Sequence, residues 1–291
     1  MDMANSLESS DVWPWTRHGQ RKGIPQGLYD DLVRYTKYSS GAYQILCARP
    51  MGNTLVTQFT DLISSTHGYI ARDDTRKEII IAFRGSQNVG HILLDSEIIL
   101  IPLEAPGIGD AGDARVHMGF LFAFSSVAST VISHMDSLLK EHPDYTVVCT
   151  GHSLGGSIAS IGAISVKGSF PDAAIRLFTF GRDMHPQHSG QPRTGNKAFA
   201  TLVETMLDPT NIFRAVHSFD GVPTMIPTKL GYHHHATEYW QFTEPPSPEH
   251  VKECTGGEDP DGSVSIPYMG ISLPHMVYFG QPISQDPTVC L

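Results

Sequence analysis

The chain reads as an α/β protein: a central, mostly parallel β-sheet with helices on both faces. Three observations predict this. Apolar strand-like runs alternate with amphipathic helical stretches along the chain. Thr146 to Thr150 is a short β-branched run of the kind a strand buried on both faces requires. Immediately after it, a glycine-flanked serine stands where a strand turns into a helix.

The elements follow in order. Residues 1–27 are polar and punctuated by Gly and Pro, with Trp13 and Trp15 flanking Pro14, and read as an N-terminal arm. Residues 28–291 read as one domain. Leu28, Leu32, Val33 and Tyr35 fall at helical spacing, which predicts a helix over Leu28 to Leu46. Gly68 to Arg72 and Glu78 to Phe83 predict two strands around the polar turn Asp73-Asp74-Thr75-Arg76. Phe120, Phe124, Val127, Val131, Met135 and Leu138 keep the i, i+3, i+4 rhythm of a long amphipathic helix, which His142-Pro143 stops. Leu154 to Lys167 reads as a small-residue helix, and Leu177 to Phe180 and Ile212 to Val216 as further strands. Residues 241–274 are rich in Pro, Gly and acids and read as a long loop.

Composition narrows the function. Lys plus Arg is 20 against 30 Asp plus Glu, a net charge of −10, which excludes the basic face of a nucleic-acid binder. It also argues against charge-driven adhesion to anionic lipid, while leaving apolar contact with an interface open. Aliphatic runs such as Ile98 to Ile101 are too short to span a bilayer. The N-terminal MDMANSLESS lacks the basic and apolar regions of a signal peptide.

Gly151-His152-Ser153-Leu154-Gly155-Gly156 fits G-x-S-x-G in its proper strand-to-helix context. A sharp turn there exposes Ser153, and the helix N-terminus aims free N–H groups at a substrate oxygen. A serine hydroxyl is a weak nucleophile and needs a histidine base held by an acid. With this elbow the chain order is Ser, then Asp or Glu, then His, so both partners should follow Ser153. That order leaves several later histidines open, including His233 to His235.

Four blocks make the sequence resemble the fungal class 3 lipase family, which includes triacylglycerol lipases and type-A feruloyl esterases. They are Ile80 to Ser86, Val116 to Phe120, Thr150 to Gly156, and Phe178-Thr-Phe-Gly181 followed by Gln191-Pro-Arg-Thr-Gly-Asn196. The resemblance implies an α/β-hydrolase-type fold with a lid over the active site, and no cofactor or metal. It implies that Ser153 is the nucleophile, Asp220 the triad acid and His275 the base. It assigns Tyr232 to Trp240 to a structural strand. The alternative for Asp220 is a turn-forming residue before Gly221. The oxyanion hole is expected from the backbone N–H groups of Leu154 and Ser86.

The family's lid would lie between Gly85 and Val116. Ile92, Leu93, Ile98 and Ile99 make this stretch aliphatic, and Ile98 takes the place of the tyrosine of feruloyl esterases. That favours an aliphatic acyl group; the competing reading makes Ile98 to Ile101 a buried strand. Residues 182–190 interrupt the Phe178 block as an insertion. Cys47 and Cys290 match a family disulfide, with Cys149 and Cys254 free. His233 and His235 would share one face of a strand, but no third metal ligand is evident nearby.

The expectation is therefore a monomeric serine carboxylic-ester hydrolase acting on apolar aliphatic esters or acylglycerols, in contact with a lipid–water interface. The alternatives are a feruloyl-type esterase acting on plant cell-wall esters and an acyltransferase of secondary metabolism. The resemblance implies an extracellular location, against which stands a cytoplasmic one.

Overall fold

The computed structural model describes residues 22–85, 98–181, 192–217, 226–265, 277–283 and 286–291. The expectations for Trp13 and Trp15, Ser86, Ile92, Leu93, the 182–190 insertion, Asp220 and His275 fall outside these residues.

The main sheet has eight strands among the described residues. They are β1 (Thr54–Asp61), β2 (Thr66–Asp73), β3 (Glu78–Phe83), β6 (Thr146–His152), β7 (Ile175–Phe180), β9 (Ile212–His217), β11 (Glu238–Gln241) and β12 (Val251–Glu253), in that spatial order. The run from β3 through β11 is parallel, while β1, β2 and β12 are antiparallel additions at the edges. A second sheet holds β4 (Leu100–Pro102), β5 (Arg115–His117), β8 (Gly195–Asn196) and β10 (Tyr232–His233), in the order β10-β8-β5-β4. Close to the C-terminus, β13 (Val277–Tyr278) pairs with β14 (Gln281–Pro282).

Helices cover both faces of the main sheet. Helix α1 (Gln26–Gly41) lies on one side; α2 (Met118–Glu141), α3 (Leu154–Ser169) and α4 (Lys197–Leu207) lie on the other. Strand β3 shows why. Ile79, Ile81 and Phe83 join the core built with α2 and α3, while Ile80 and Ala82 join the core built with α1. A fully buried strand places alternate side chains in two different cores, hence its unbroken apolar run. Helix α2 is long and apolar enough to cross a bilayer, yet Phe120, Phe124, Val127, Val131, Met135 and Leu138 bury its inner face in this core.

Several expectations shift. Helix α1 begins at Gln26, where Pro25 presents its carbonyl to the N–H groups of Leu28 and Tyr29. It ends at Gly41 instead of Leu46, because the next residues turn to carry Tyr43 inward and leave Ile45 and Leu46 exposed. Strand β1 went unread because it is a half-buried edge strand whose alternation breaks at a register shift between Leu55 and Thr57. The expected strand over Tyr232 to Trp240 is two strands, β10 and β11, belonging to different sheets. The stretch 241–274 is not all loop: β12 pairs with β11, and Trp240, Val216 and Cys254 form a small apolar cluster there.

A disulfide joins Cys47 to Cys290 across 243 residues, as the resemblance implied. Cys149 and Cys254 are free and buried, and burial pushes the Cys149 thiol up to about 12.

Candidate active site

Strand β6 ends at His152 and α3 begins at Leu154, so Ser153 alone makes the turn. Its backbone sits at φ 59°, ψ −129°, a left-handed conformation that costs a non-glycine residue about 1–3 kcal/mol. Hydrogen bonds hold it there. Its N–H donates to the Phe180 carbonyl on β7 at 2.7 Å, and its own carbonyl accepts from the Gly156 N–H at 2.9 Å. The side chain is buried, and Oγ makes no hydrogen bond to another described residue.

Two glycines let the backbone close around it. A Cβ on Gly155 would lie 2.3 Å from the Phe83 carbonyl oxygen, so only glycine lets α3 start against the end of β3. One on Gly85 would lie 2.7 Å from the His152 carbonyl oxygen and 3.1 Å from the Ser153 Cβ. The chain leaving β3 toward residue 86 therefore passes directly over the serine. The Leu154 N–H opens the helix ahead of its first intrahelical acceptor, the Ser153 carbonyl that takes the Gly156 N–H, so it is available to an anion in front of Ser153.

Tyr43, which sequence reasoning missed, ties these pieces together. Its hydroxyl accepts from the Gly85 N–H at 3.2 Å and lies 2.8 Å from His152 Nδ1. One buried phenol thus couples the segment after β3 to the elbow itself. No local pattern marks it, because Tyr43 and His152 are 109 residues apart.

Around the elbow, the Tyr278 ring lies 6.0 Å from His152, 6.0 Å from Phe180 and 5.8 Å from His217. The ends of β6, β7 and β9 therefore meet β13. Arg193, in the block beginning at Gln191, is a second residue whose part the sequence did not disclose. Its guanidinium grips Glu258 with two bonds of 2.6 and 2.7 Å and donates to the Ile226 carbonyl at 2.7 Å. Burial alone would raise the Glu258 carboxyl; the Arg193 hydrogen bonds and charge, with the His234 N–H, hold it below the usual range.

The remaining expected residues fall as follows. Leu154 stands beside Ser153 as the first residue of α3. Ile98 is exposed and Ile99 half-buried, with the Ile99 carbonyl accepting from the Met118 N–H. Leu100 and Ile101 belong to β4 and pack half-buried against the core, so the strand reading of Ile98 to Ile101 holds only from Leu100 on, and the strand is half-buried where a buried one was expected. His233 ends β10, while His235 is buried with Nε2 3.1 Å from the Ser160 hydroxyl. Burial pushes His235 down to about 4. Among the described residues no three His, Cys, Asp or Glu side chains are grouped to hold a metal.

Comparison with known proteins agrees with this geometry. The family model "Lipase (class 3)" matches residues 80–230. A secreted alkaline triacylglycerol lipase of Penicillium cyclopium is 28% identical over 87% of this chain and 84% of its own length. A lipase of Rhizomucor miehei is 30% identical over 95% of this chain and 76% of its own length. A solved triacylglycerol lipase whose catalytic centre is a serine protease triad superposes with a TM-score of 0.75, at 27% identity, covering 93% of this chain and 99% of that one. The chain belongs to the class 3 lipase family, shares its α/β-hydrolase fold, and with it is a carboxylic ester hydrolase.

Proposed function

We propose that the chain hydrolyses acylglycerols or other apolar aliphatic esters through an acyl-enzyme on Ser153. The observation that carries this is the strained, buried serine at the head of α3, with Gly85 laid over it. In this reading His275 takes the Ser153 proton and Asp220 orients His275. Ser153 Oγ attacks the ester carbonyl, and the negative oxygen is met by the N–H groups of Leu154 and Ser86. The tetrahedral adduct expels the alcohol, which receives the proton from His275. Water, deprotonated by the same histidine, then releases the acid.

Several features support these assignments. Asp220 lies three residues beyond β9, whose C-terminal end adjoins the elbow, and His275 two residues before β13, whose Tyr278 packs on His152. The order Ser, Asp, His is the one this elbow uses. The aliphatic residues Ile98 and Ile99 support an aliphatic acyl group over a phenolic one. The secreted Penicillium relative supports an extracellular site of action.

A panel of esters tests the reading. Para-nitrophenyl butyrate and laurate should be cleaved at least tenfold faster than methyl ferulate, and added alcohol should not divert most of the acyl group from water. Preference for methyl ferulate would make the chain a feruloyl-type esterase, and dominant transfer to the alcohol an acyltransferase.

A further inference from the structure

Where β9 and β11 end, a bridge of polar side chains takes no part in the chemistry proposed above. The two strands run parallel, and their last residues, His217 and Gln241, stand opposite each other and are buried. Shortly after β11, Glu244 turns its carboxylate back over this pair, with its side chain 54% exposed. Its Oε1 lies 2.7 Å from His217 Nε2 and accepts from Gln241 Nε2 at 3.2 Å. The Gln241 Oε1 in turn accepts from the Phe279 N–H at 3.1 Å. One carboxylate oxygen and one amide thus connect the end of β9 to the turn between β13 and β14.

That turn needs an anchor. Phe279 and Gly280 join the two strands with positive φ at both residues, 50° and 76°. The first position suits Gly, Asn or Asp, so a phenylalanine there must be held by its surroundings. Gln241 holds its N–H, the Tyr29 ring meets its ring edge-on at 5.5 Å, and Ser40 Oγ donates to the Pro282 carbonyl. The other end of the bridge, His217, leads directly into residues 218–225. The far end of that segment is held as well, because the Ile226 carbonyl accepts from Arg193 Nη1.

Asp220 lies three residues after His217, and His275 four residues before Phe279. A triad works only if its acid and base stay within hydrogen-bond reach, about 2.6–3.2 Å. These two come from separate segments, so their spacing depends on whatever fixes one segment to the other. The backbone ladder does not do this: among the described residues β13 pairs with β14 and with no strand of the main sheet. The chain of contacts from His217 through Glu244 and Gln241 to Phe279 does.

We infer that Glu244 is a positioning residue: through His217 and Gln241 it fixes the Asp220 segment against the His275 segment and so sets the acid–base distance. This rests on the roles proposed for Asp220 and His275. The titratable and charged groups around the Glu244 carboxylate are His217 on β9, Tyr29 and Asp30 on α1, and Glu249 and His250 in its own loop. Burial, and after it the Glu244 charge, raises the Tyr29 phenol above its usual range, so Tyr29 faces Glu244 as a neutral hydroxyl.

The test follows para-nitrophenyl acetate hydrolysis across pH in the full chain and in Glu244→Ala, Glu244→Gln, Gln241→Leu and the double variant Glu244→Ala/Gln241→Leu. Glu244→Ala should lower kcat about tenfold, with KM within about twofold of the parent. Loosened from Asp220, His275 loses the carboxylate that favours its protonated form. The acid limb of kcat/KM should therefore move to lower pH by about half a unit or more. Glu244→Gln keeps an oxygen acceptor in place and should return kcat to within about threefold of the parent. Glu244 and Gln241 act in one chain, so the double variant should lose no more than about twofold beyond either single one. Equal kcat and superimposable pH profiles in parent and Glu244→Ala would overturn the inference. So would a Glu244→Ala variant that is less stable in urea but keeps its acid limb, a Glu244→Gln variant no better than Glu244→Ala, or losses that multiply in the double variant. A parent inert toward every ester would overturn the proposed function and this inference together; an active parent with any of the former results overturns the inference alone.

Discussion

Ser153 sits at φ 59° because the chain must leave β6 and enter α3 within one residue, and the surrounding hydrogen bonds stabilise that turn. Ser153→Ala should therefore keep the fold and lower kcat on para-nitrophenyl butyrate by at least a thousandfold, since triad members act as a unit. Circular dichroism and steady-state kinetics on the same preparation check both halves. Tyr43 gives a subtler expectation. Tyr43→Phe removes the acceptor for the Gly85 N–H and the partner of His152 Nδ1, leaving buried polar groups unpaired at a cost of about 1–3 kcal/mol. Because it loosens the segment after β3 without touching substrate, kcat should fall about tenfold with KM little changed. An unchanged kcat alongside lower stability would make Tyr43 purely structural.

Among the elements, the parallel core and its helices were legible because burial on two faces writes itself as unbroken apolar runs such as Ile79 to Ile81. The elbow was legible because Gly155 and Ser153 are local necessities of one turn. What escaped was set by distant contacts. Strand β1 is an irregular edge, β12 is three residues long, and the inward turn of Tyr43 ends α1 early. Arg193 looked like one letter of a family block, whereas its grip on Glu258 and Ile226 ties together segments 33 and 65 residues away. Arg193→Met would strand a largely buried carboxylate, and should lower unfolding free energy by about 3 kcal/mol in urea titrations. At the chain's ends, the Cys47–Cys290 bridge closes a loop whose chain-entropy value is about 5 kcal/mol. Reduction, or Cys47→Ser, should lower Tm by several degrees; an unchanged Tm would show that the bridge constrains nothing.

Across the whole molecule, histidines kept neutral by burial make the fold sensitive to acid. Burial pushes His117 and His235 down to about 4 and lowers His67 as well. In the unfolded chain His117 and His235 take up protons below about 6.5, while in the folded chain they resist until about 4. Between those values the unfolded state binds more protons, so stability must fall as pH drops from 6.5 to 4. For His117 and His235 the loss has an upper limit of about 3 kcal/mol each. Urea midpoints measured across that window should decrease, and His117→Gln should flatten the slope. Hydrolysis through Ser153 requires one covalent bond to its Oγ, which a para-nitrophenyl alkylphosphonate can trap. Ser153 Oγ should displace para-nitrophenolate from phosphorus, adding one phosphonyl group per chain and abolishing activity in proportion. Peptide mass mapping should place that group on Ser153. Full inactivation with the group on another residue, or full activity with Ser153 completely modified, would contradict the account.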